Sequence, residues 1–289
     1  MRDRAAALAY GGEAWTPPPA RDAATVCLLR DAVDGLEVFL MRRTTSMSFA
    51  AGMHVYPGGA LEESDARVPL AGRADLDAVA ARMSTDDPAG LLAAAARETF
   101  EECGVLLALD ADGRTPTAEL VTDADRADVA DGRRSFADLL DALGLVVDDA
   151  ALVPFAHWVT PEVEDRRYDT RFLAAALPEG QVAARLGGEA DRVAWWRPGD
   201  ALAEAYAGRM AMLPPTMATL EELARHADAA AALDAVRALA VAPLLPHPFP
   251  GEGGEVVWHL VHDRTREVLV PGSQPHASET DGTGTGSGS

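Results

Sequence analysis

A nine-residue segment about one third of the way along the chain constrains its fold and chemistry more than any other feature. It consists of Arg97-Glu98-Thr99-Phe100-Glu101-Glu102-Cys103-Gly104-Val105. Residues three and four apart are neighbours on a helix, so the three glutamates would crowd together on one face. A hard divalent cation takes carboxylate oxygens as ligands and would relieve that repulsion. The segment therefore predicts a metal-binding helix that Gly104 ends in the left-handed conformation; a solvated acidic face is the alternative.

The residues upstream of this helix predict a short strand that runs into a glycine turn. They are Gly52-Met53-His54-Val55-Tyr56-Pro57-Gly58-Gly59. The two final glycines, Gly58 and Gly59, could form nothing more than a tight turn. Without side chains they would also let the backbone approach a bound diphosphate. We therefore treat both glycines as candidate substrate-binding residues.

Together the two segments resemble the Nudix box, Gly-x5-Glu-x7-Arg-Glu-U-x-Glu-Glu-x-Gly-U, where U is a bulky apolar residue. The second half matches except that Thr99 stands at the first U position, and the first half is matched only at its glycine. Gly59 lies 38 residues before Arg97, where the standard motif has about 14, so about 24 residues are inserted. Ala89 stands where counting back from Arg97 places the first glutamate of the box.

The resemblance implies a role for each residue of the helix. Glu98 and Glu102 correspond to the core ligands of a Mg²⁺ or Mn²⁺ ion, and Glu101 assists them or binds a further ion. Arg97 corresponds to the residue that orients the ligand carboxylates, and it can pair with Glu101 four residues on. The reaction implied is hydrolysis of a diphosphate linkage in a nucleoside diphosphate derivative.

Two further features make the chain similar to a Nudix branch that resembles the coenzyme A diphosphatases. One is the insertion within the box, and the other is the downstream segment Tyr168-Asp169-Thr170-Arg171-Phe172. The similarity runs from about residue 25 to about residue 223 and implies coenzyme A or acyl-coenzyme A as the substrate. Ser48 departs from the arginine that a related coenzyme A signature carries at that place. ADP-ribose or another nucleotide sugar is the alternative substrate, and a non-catalytic nucleotide-binding sensor is an alternative of another class.

The composition limits which partners the protein can bind and which of its cationic groups can contact them. The chain carries 25 basic and 46 acidic residues, a net charge of −21, which argues against a nucleic acid partner. It contains no lysine, so a P-loop lysine and a lysine Schiff base are excluded. Phosphate groups must then be met by arginine, backbone N–H groups or a metal. Arg42, Arg43 and Arg171 are the candidate substrate-binding arginines.

The proton acceptor for hydrolysis has several candidates. Glu162 and Glu164 follow a predicted strand in a loop, a position from which Nudix enzymes can supply a base. Glu101 is another candidate, since it lies beside the predicted metal ligands. The alternative for the two loop residues is that both are solvated acids of an acidic protein.

The fold predicted by the resemblance is an α/β/α sandwich of the Nudix type, with a mixed sheet between helices, an insertion within the box and a helical C-terminal extension. We divide the chain into a loose arm (1–20), a Nudix domain (21–212) with its insertion at 62–87, a helical extension with a hairpin (213–271) and a disordered tail (272–289). The insertion is expected to be a surface excursion that contributes little to the core. Helices are expected near 75–83, 88–103, 119–142, 200–207 and 217–240. Strands are expected near 24–29, 36–41, 152–159, 170–176 and 192–196, with a late hairpin of 256–262 and 266–270.

The remaining expectations concern location and assembly. Cys27 and Cys103 are predicted to be buried thiols rather than a disulfide. Neither a leader segment nor an apolar run of about 18 residues is recognised, which predicts a cytoplasmic protein without a membrane partner. The partner expected is a small nucleotide diphosphate, and the oligomeric state stays open.

Overall fold

The computed structural model describes residues 2–11, 15–44, 50–184, 190–263 and 268. The helices within these residues are α1 (Arg2–Tyr10), α2 (Leu76–Met83), α3 (Pro88–Cys103), α4 (Asp123–Ala130), α5 (Phe136–Leu143), α6 (Pro198–Tyr206), α7 (Pro214–Leu223) and α8 (Ala229–Ala238). None of these described helices is long and apolar enough to cross a membrane.

A mixed sheet forms the centre of the fold. Its strands are β1 (Arg21–Ala32), β2 (Gly35–Arg43), β3 (His54–Val55), β4 (Gly58–Ala60), β7 (Val153–Val159), β8 (Tyr168–Ala176), β9 (Ala190–Trp196), β10 (Pro243–Pro250) and β11 (Val256–His262). The order is β11-β10-β7-β8-β1-β2-β3, with β4 paired to β1 and β9 paired to β2. β1 and β8 run parallel, as do β7 and β10, while the other pairs are antiparallel. A separate pair joins β5 (Ala108–Leu109) to β6 (Val146–Val147).

Helices cover both faces of this sheet. Alternate residues of β1 point to opposite sides, so Val26 and Leu28 pack with α3 while Cys27 and Leu29 pack with α7 and α8. The first core contains α2 to α5 on its outer side, and the second contains α6 to α8. The predicted α/β/α sandwich with a mixed sheet is therefore confirmed. The C-terminal helices form its second helical layer.

The local sequence explains where α3 begins and ends. The Asp87 side chain accepts a hydrogen bond from the Gly90 N–H group, and Pro88 occupies the first turn. Gly104 ends the helix in the left-handed conformation, with φ of 76°. The small side chains of 93–96 are all buried, which lets the helix lie close to the sheet. Its last turns carry the three glutamates.

Three predictions about the periphery need correction. Residues 2–10 of the predicted loose arm form α1, which packs on β10 and buries Ala5. The predicted helix 119–142 is two helices, because the turn at 131–135 contains Gly132 with φ of 67° and a new N-cap at Ser135. The strand β11 pairs along its length with β10, which was not predicted. Val268 forms an isolated bridge with Val261, and the rest of 266–270 lies outside the described residues, as does the predicted tail.

The inserted segment also differs from the prediction, because both of its ends belong to the interior. The predicted helix is present as α2, but Met83 at its end is 1% exposed and packs in the first core. Near its start Asp65 is 1% exposed and Val68 is also buried. The expectation of a surface excursion with little core is therefore wrong for these residues. A short Gly/Ser loop in place of 64–84 would remove buried contacts.

Candidate active site

The candidate site lies where β4 passes beneath α3. Gly58 and Gly59 of β4 pair with Thr25 and Ala24 of β1. A Cβ atom on Gly59 would collide with the Glu98 carboxylate, and one on Gly58 would collide with the backbone of β1. Gly58 is thus required by the packing of β4 against β1, whereas a side chain at position 59 would displace the Glu98 carboxylate. The predicted approach of both glycines to a substrate is a separate matter that stays a prediction.

Arg97 is buried at the centre of the site and joins its parts. The Nε and Nη2 atoms donate to the two oxygens of Asp65 at 2.7 and 3.0 Å, and Nη2 also donates to the Ala60 carbonyl at 2.9 Å. The Nη1 atom donates to Glu98 at 2.7 Å and to Glu101 at 3.4 Å. Burial alone would lower the pKa of Arg97, but the hydrogen bonds and charges of these carboxylates raise it above its ordinary value. The guanidinium therefore stays charged and holds the carboxylates in place.

Asp65 is the site residue that the sequence reasoning missed. It lies six residues after Gly59, the spacing that the Nudix box gives to its first acid. Counting backward from Arg97 led instead to Ala89, because the insertion lies between Asp65 and Arg97. Counting forward from Gly59, and allowing aspartate in place of glutamate, would have found it. The first half of the box is therefore matched at two positions.

The carboxylates of α3 are held in distinct environments. The Gly58 N–H group donates to Glu102 Oε2 at 2.7 Å. Burial raises the pKa of Glu98 even though Arg97 opposes the shift. Burial, followed by the charge of Glu98, raises the pKa of Glu101 from 4.5 to about 7. The negative charge of Glu62 adds to both shifts, so it lies close enough to belong to the same cluster.

A second buried arginine, Arg126 of α4, lies at the C-terminal end of α3. Its Nε atom donates to the Glu101 backbone carbonyl at 2.8 Å. Burial lowers the pKa of Arg126 to about 10, and the negative charges of Asp123, Glu102 and Glu101 act in the opposite direction. A cation is favourable at this end of a helix. No local pattern pointed to Arg126, because the contact joins two helices.

These donors fit a hard divalent cation in their chemistry. Carboxylate oxygens are the ligands that Mg²⁺ and Mn²⁺ prefer. Burial first, and then the charges of neighbouring carboxylates, raise the pKa values of Glu98 and Glu101, and a bound cation would favour their ionised forms. Within the described ranges, however, no three acidic, histidine or cysteine side chains already converge as a metal site. Glu98 faces Arg97, and Glu102 faces the Gly58 N–H group.

Two of the three arginines predicted to bind substrate form ion pairs with carboxylates of the protein itself. Arg42 makes a two-pronged contact with Asp191, at 2.7 and 2.5 Å. Arg171, whose side chain is 4% exposed, contacts Asp22 and Asp169 and donates to backbone carbonyls at the end of α2. Arg171 is thus buried and internally bonded, and its predicted contact with a phosphate stays a prediction. The Arg43 N–H group donates to the Met53 carbonyl at 2.9 Å, and a substrate contact by its side chain stays a prediction.

The two loop carboxylates considered as bases lie between β7 and β8. Glu162 contacts the Nδ1 atom of His247 on β10 at 3.0 Å, and its carbonyl accepts from Trp15. Glu164 is half-buried, and its N–H group donates to the Pro161 carbonyl at 3.2 Å. The role of either as a base stays a prediction.

Comparison with known proteins identifies the family to which the chain is similar. The model of the NUDT19 Nudix domain matches residues 73–225, which is more than half of the chain. The acyl-coenzyme A diphosphatase NUDT19 of Gallus gallus is 31% identical over 184 residues, covering 49% of this chain and 48% of that protein. The Xenopus laevis protein of the same name is 25% identical over 229 residues, covering 66% and 60%. The chain thus spans between about half and three fifths of these relatives.

A solved structure supports the same assignment. A Nudix hydrolase from Alicyclobacillus acidocaldarius is 31% identical, with a TM-score of 0.62, and the match covers 76% of this chain and 97% of that one. The chain belongs to the Nudix hydrolase family.

Proposed function

We propose that this protein hydrolyses a diphosphate linkage in a nucleoside diphosphate derivative with the help of a divalent cation. The observation that carries the proposal is the cluster of Glu98, Glu101 and Glu102 on one helix, oriented by the buried Arg97 and facing the glycines of β4. A non-catalytic sensor would not need to retain all three carboxylates. Their retention favours catalysis over simple nucleotide binding.

The carboxylates supply the metal site in this proposal. Glu98 and Glu102 would hold Mg²⁺ or Mn²⁺, and Glu101 would assist them. The metal would neutralise the diphosphate and lower the pKa of a bound water molecule. Arg97 keeps Glu98 and Glu101 pointing to the same side of the helix, because it donates to both.

The proton acceptor favoured by the geometry is Glu101. Its side chain is 17% exposed, so it reaches solvent while remaining next to Glu98. A base with a pKa near neutrality is well matched to proton transfer, and burial moves the pKa of Glu101 in that direction. Glu162 is a weaker candidate, since its carboxylate already contacts His247. Glu164 remains an untested alternative.

Coenzyme A or acyl-coenzyme A is the substrate we favour. Both vertebrate relatives carry the name acyl-coenzyme A diphosphatase, and the inserted segment and the Tyr168-Asp169-Thr170-Arg171-Phe172 motif support the same branch. The expected products are 3′,5′-ADP and 4′-phosphopantetheine, or its acyl form. ADP-ribose or another nucleotide sugar is the second candidate, since Ser48 departs from the coenzyme A signature. We also propose a cytoplasmic location, with no nucleic acid or membrane partner.

A panel assay separates these candidates. Purified protein would be incubated with Mg²⁺ or Mn²⁺ and coenzyme A, acetyl-coenzyme A, ADP-ribose or NADH, and the products separated by chromatography. Release of 3′,5′-ADP from coenzyme A would support the proposal. Strong cleavage of ADP-ribose without cleavage of coenzyme A would replace it with the second candidate. Absence of any metal-dependent cleavage, with nucleotide binding retained, would favour the sensor.

A further inference from the structure

The inserted segment is fixed to the rest of the protein at both ends. At its start Asp65 is held by Arg97 through two hydrogen bonds. At its end Arg171 donates to the carbonyl groups of Met83 and Ser84, at 3.2 and 3.3 Å. Arg171 is buried and itself paired with carboxylates of β1 and β8. The segment thus forms a wall whose two ends are held in place, the first of them beside the carboxylates.

A cavity opens at the start of this wall. Its volume is about 540 Å³, within the range of pockets that hold small molecules. It lies next to the candidate active site, because the N–H group of Glu62 donates to Asp65 Oδ2 at 2.9 Å, and Asp65 is itself bonded to Arg97. The residues that line it are Glu62, Glu63, Ser64 and Arg67.

Arg67 is the cationic side chain of that lining. It follows Asp65 by two residues, so their Cα atoms are at most roughly 7 Å apart, and its side chain is exposed. No ion pair or hydrogen bond joins the Arg67 side chain to any other residue in the described part of the chain. Arg42 and Arg171, by contrast, are occupied by Asp191 and by buried partners.

We infer that Arg67 binds a phosphate group of the substrate and so helps to determine its specificity. The inference rests on the proposed function, because it assumes a substrate with phosphate groups at the carboxylate cluster. Arginine presents a planar fork of donors that matches phosphate oxygens. Its charge also opposes the repulsion that Glu62 and Glu63 exert on an anion entering the cavity. With no lysine in the chain, this role falls to arginine.

The test compares Arg67→Gln and Arg67→Lys with the matched control Arg73→Gln. Arg73 is an exposed arginine of the same segment, paired with Asp148 at 3.1 Å. Initial rates would be measured with Mg²⁺ on coenzyme A and on dephospho-coenzyme A. We expect Arg67→Gln to raise KM about 10-fold or more with kcat within about twofold, since the residue binds but does not react. Arg67→Lys should fall between it and the wild type, and Arg73→Gln should match the wild type.

The two substrates locate the contact. A rise in KM for both would assign Arg67 to the diphosphate, and a rise for coenzyme A alone would assign it to the 3′-phosphate. An unchanged KM in Arg67→Gln, or a fall in kcat with KM unchanged, would overturn the inference while leaving the proposed function standing. If the wild type cleaves neither substrate, the proposed function is in question. Calorimetric titration with ADP and Mg²⁺ then tests the inference. The inference requires that the wild type bind ADP and that Arg67→Gln bind it about 10-fold more weakly.

Discussion

The substitution Asp65→Asn tests the buried ion pair that organises the site. The side chains of Arg97 and Asp65 are 5% and 0% exposed. Removing one partner of a buried pair costs about 3–5 kcal/mol, because the other charge is left uncompensated. Arg97 would keep its bonds to Glu98, Glu101 and the Ala60 carbonyl. We therefore expect the low end of that range, about 3 kcal/mol.

Urea unfolding of the metal-free protein measures this loss directly. The midpoint should fall for Asp65→Asn while the slope of the unfolding free energy stays constant. Asp128→Asn is the matched control, since it removes a carboxylate from an exposed pair with Arg133, whose members are 47% and 56% exposed. Exposed pairs contribute little, so its midpoint should equal that of the wild type. Asp65→Glu restores the charge and should recover part of the loss.

The reasoning would be refuted by a small effect. If Asp65→Asn lost less than about 1 kcal/mol, the pair with Arg97 would not carry the stability that burial assigns to it. An equal loss in Asp128→Asn would show that the measurement reports general charge balance instead. A loss in Asp65→Asn that Asp65→Glu repairs would support the pairing.

Three further predictions concern the carboxylates and the glycines around them. Glu98→Gln and Glu102→Gln should each lower kcat about 10²-fold or more, measured with saturating Mg²⁺, and full activity in either would exclude it as a metal ligand. Burial raises the pKa of Glu101 from 4.5 to about 7 in the folded protein, so the folded state holds a proton there that the unfolded state releases. The metal-free protein should therefore lose up to about 3 kcal/mol of stability as pH rises from 4.5 to 7. Chemical unfolding at pH 4.5 and 7.5 checks the sign, and Glu101→Gln should remove this pH dependence. Gly59→Ala should keep the fold but lower kcat about 10-fold, because its Cβ displaces the Glu98 carboxylate, whereas Gly58→Ala meets the backbone of β1 and should lower the melting temperature. Equal thermal losses in the two alanine variants would contradict this distinction.

Several features of the fold were predictable from local patterns. The helix α3 was found within one residue at each end, since its N-cap, its proline and Gly104 are local signals. The strands β1, β2 and β7 to β9 were found for the same reason, because buried strands are short apolar runs. The break within 119–142 was missed, although Gly132 and Ser135 mark it in the sequence. The apolar residues of the two helices α4 and α5 were interpreted as one continuous amphipathic pattern.

The partners of individual arginines could not be predicted from the sequence, because an arginine's partner is set by packing. Arg42 and Arg171 looked available for phosphate, yet Asp191 and Asp22 lie 149 residues from them in sequence and close in space. Arg126 was not considered, although it bonds to the helix of the candidate ligands. Local sequence carries no signal for such pairs. They depend on which elements the core brings together.

The sequence by itself determined that three carboxylates share one face of a helix, because the spacing of Glu98, Glu101 and Glu102 is a local property with a period of 3.6 residues. Because the sequence contains no lysine, it also determined that any phosphate group must be contacted by arginine, backbone N–H groups or a metal. Only the tertiary structure decided that Asp65 pairs with Arg97 across 32 residues of sequence. The reason is physical: a buried charge is stable only beside its partner, and that partner is chosen by the packing of the inserted segment against α3 rather than by neighbours in the chain.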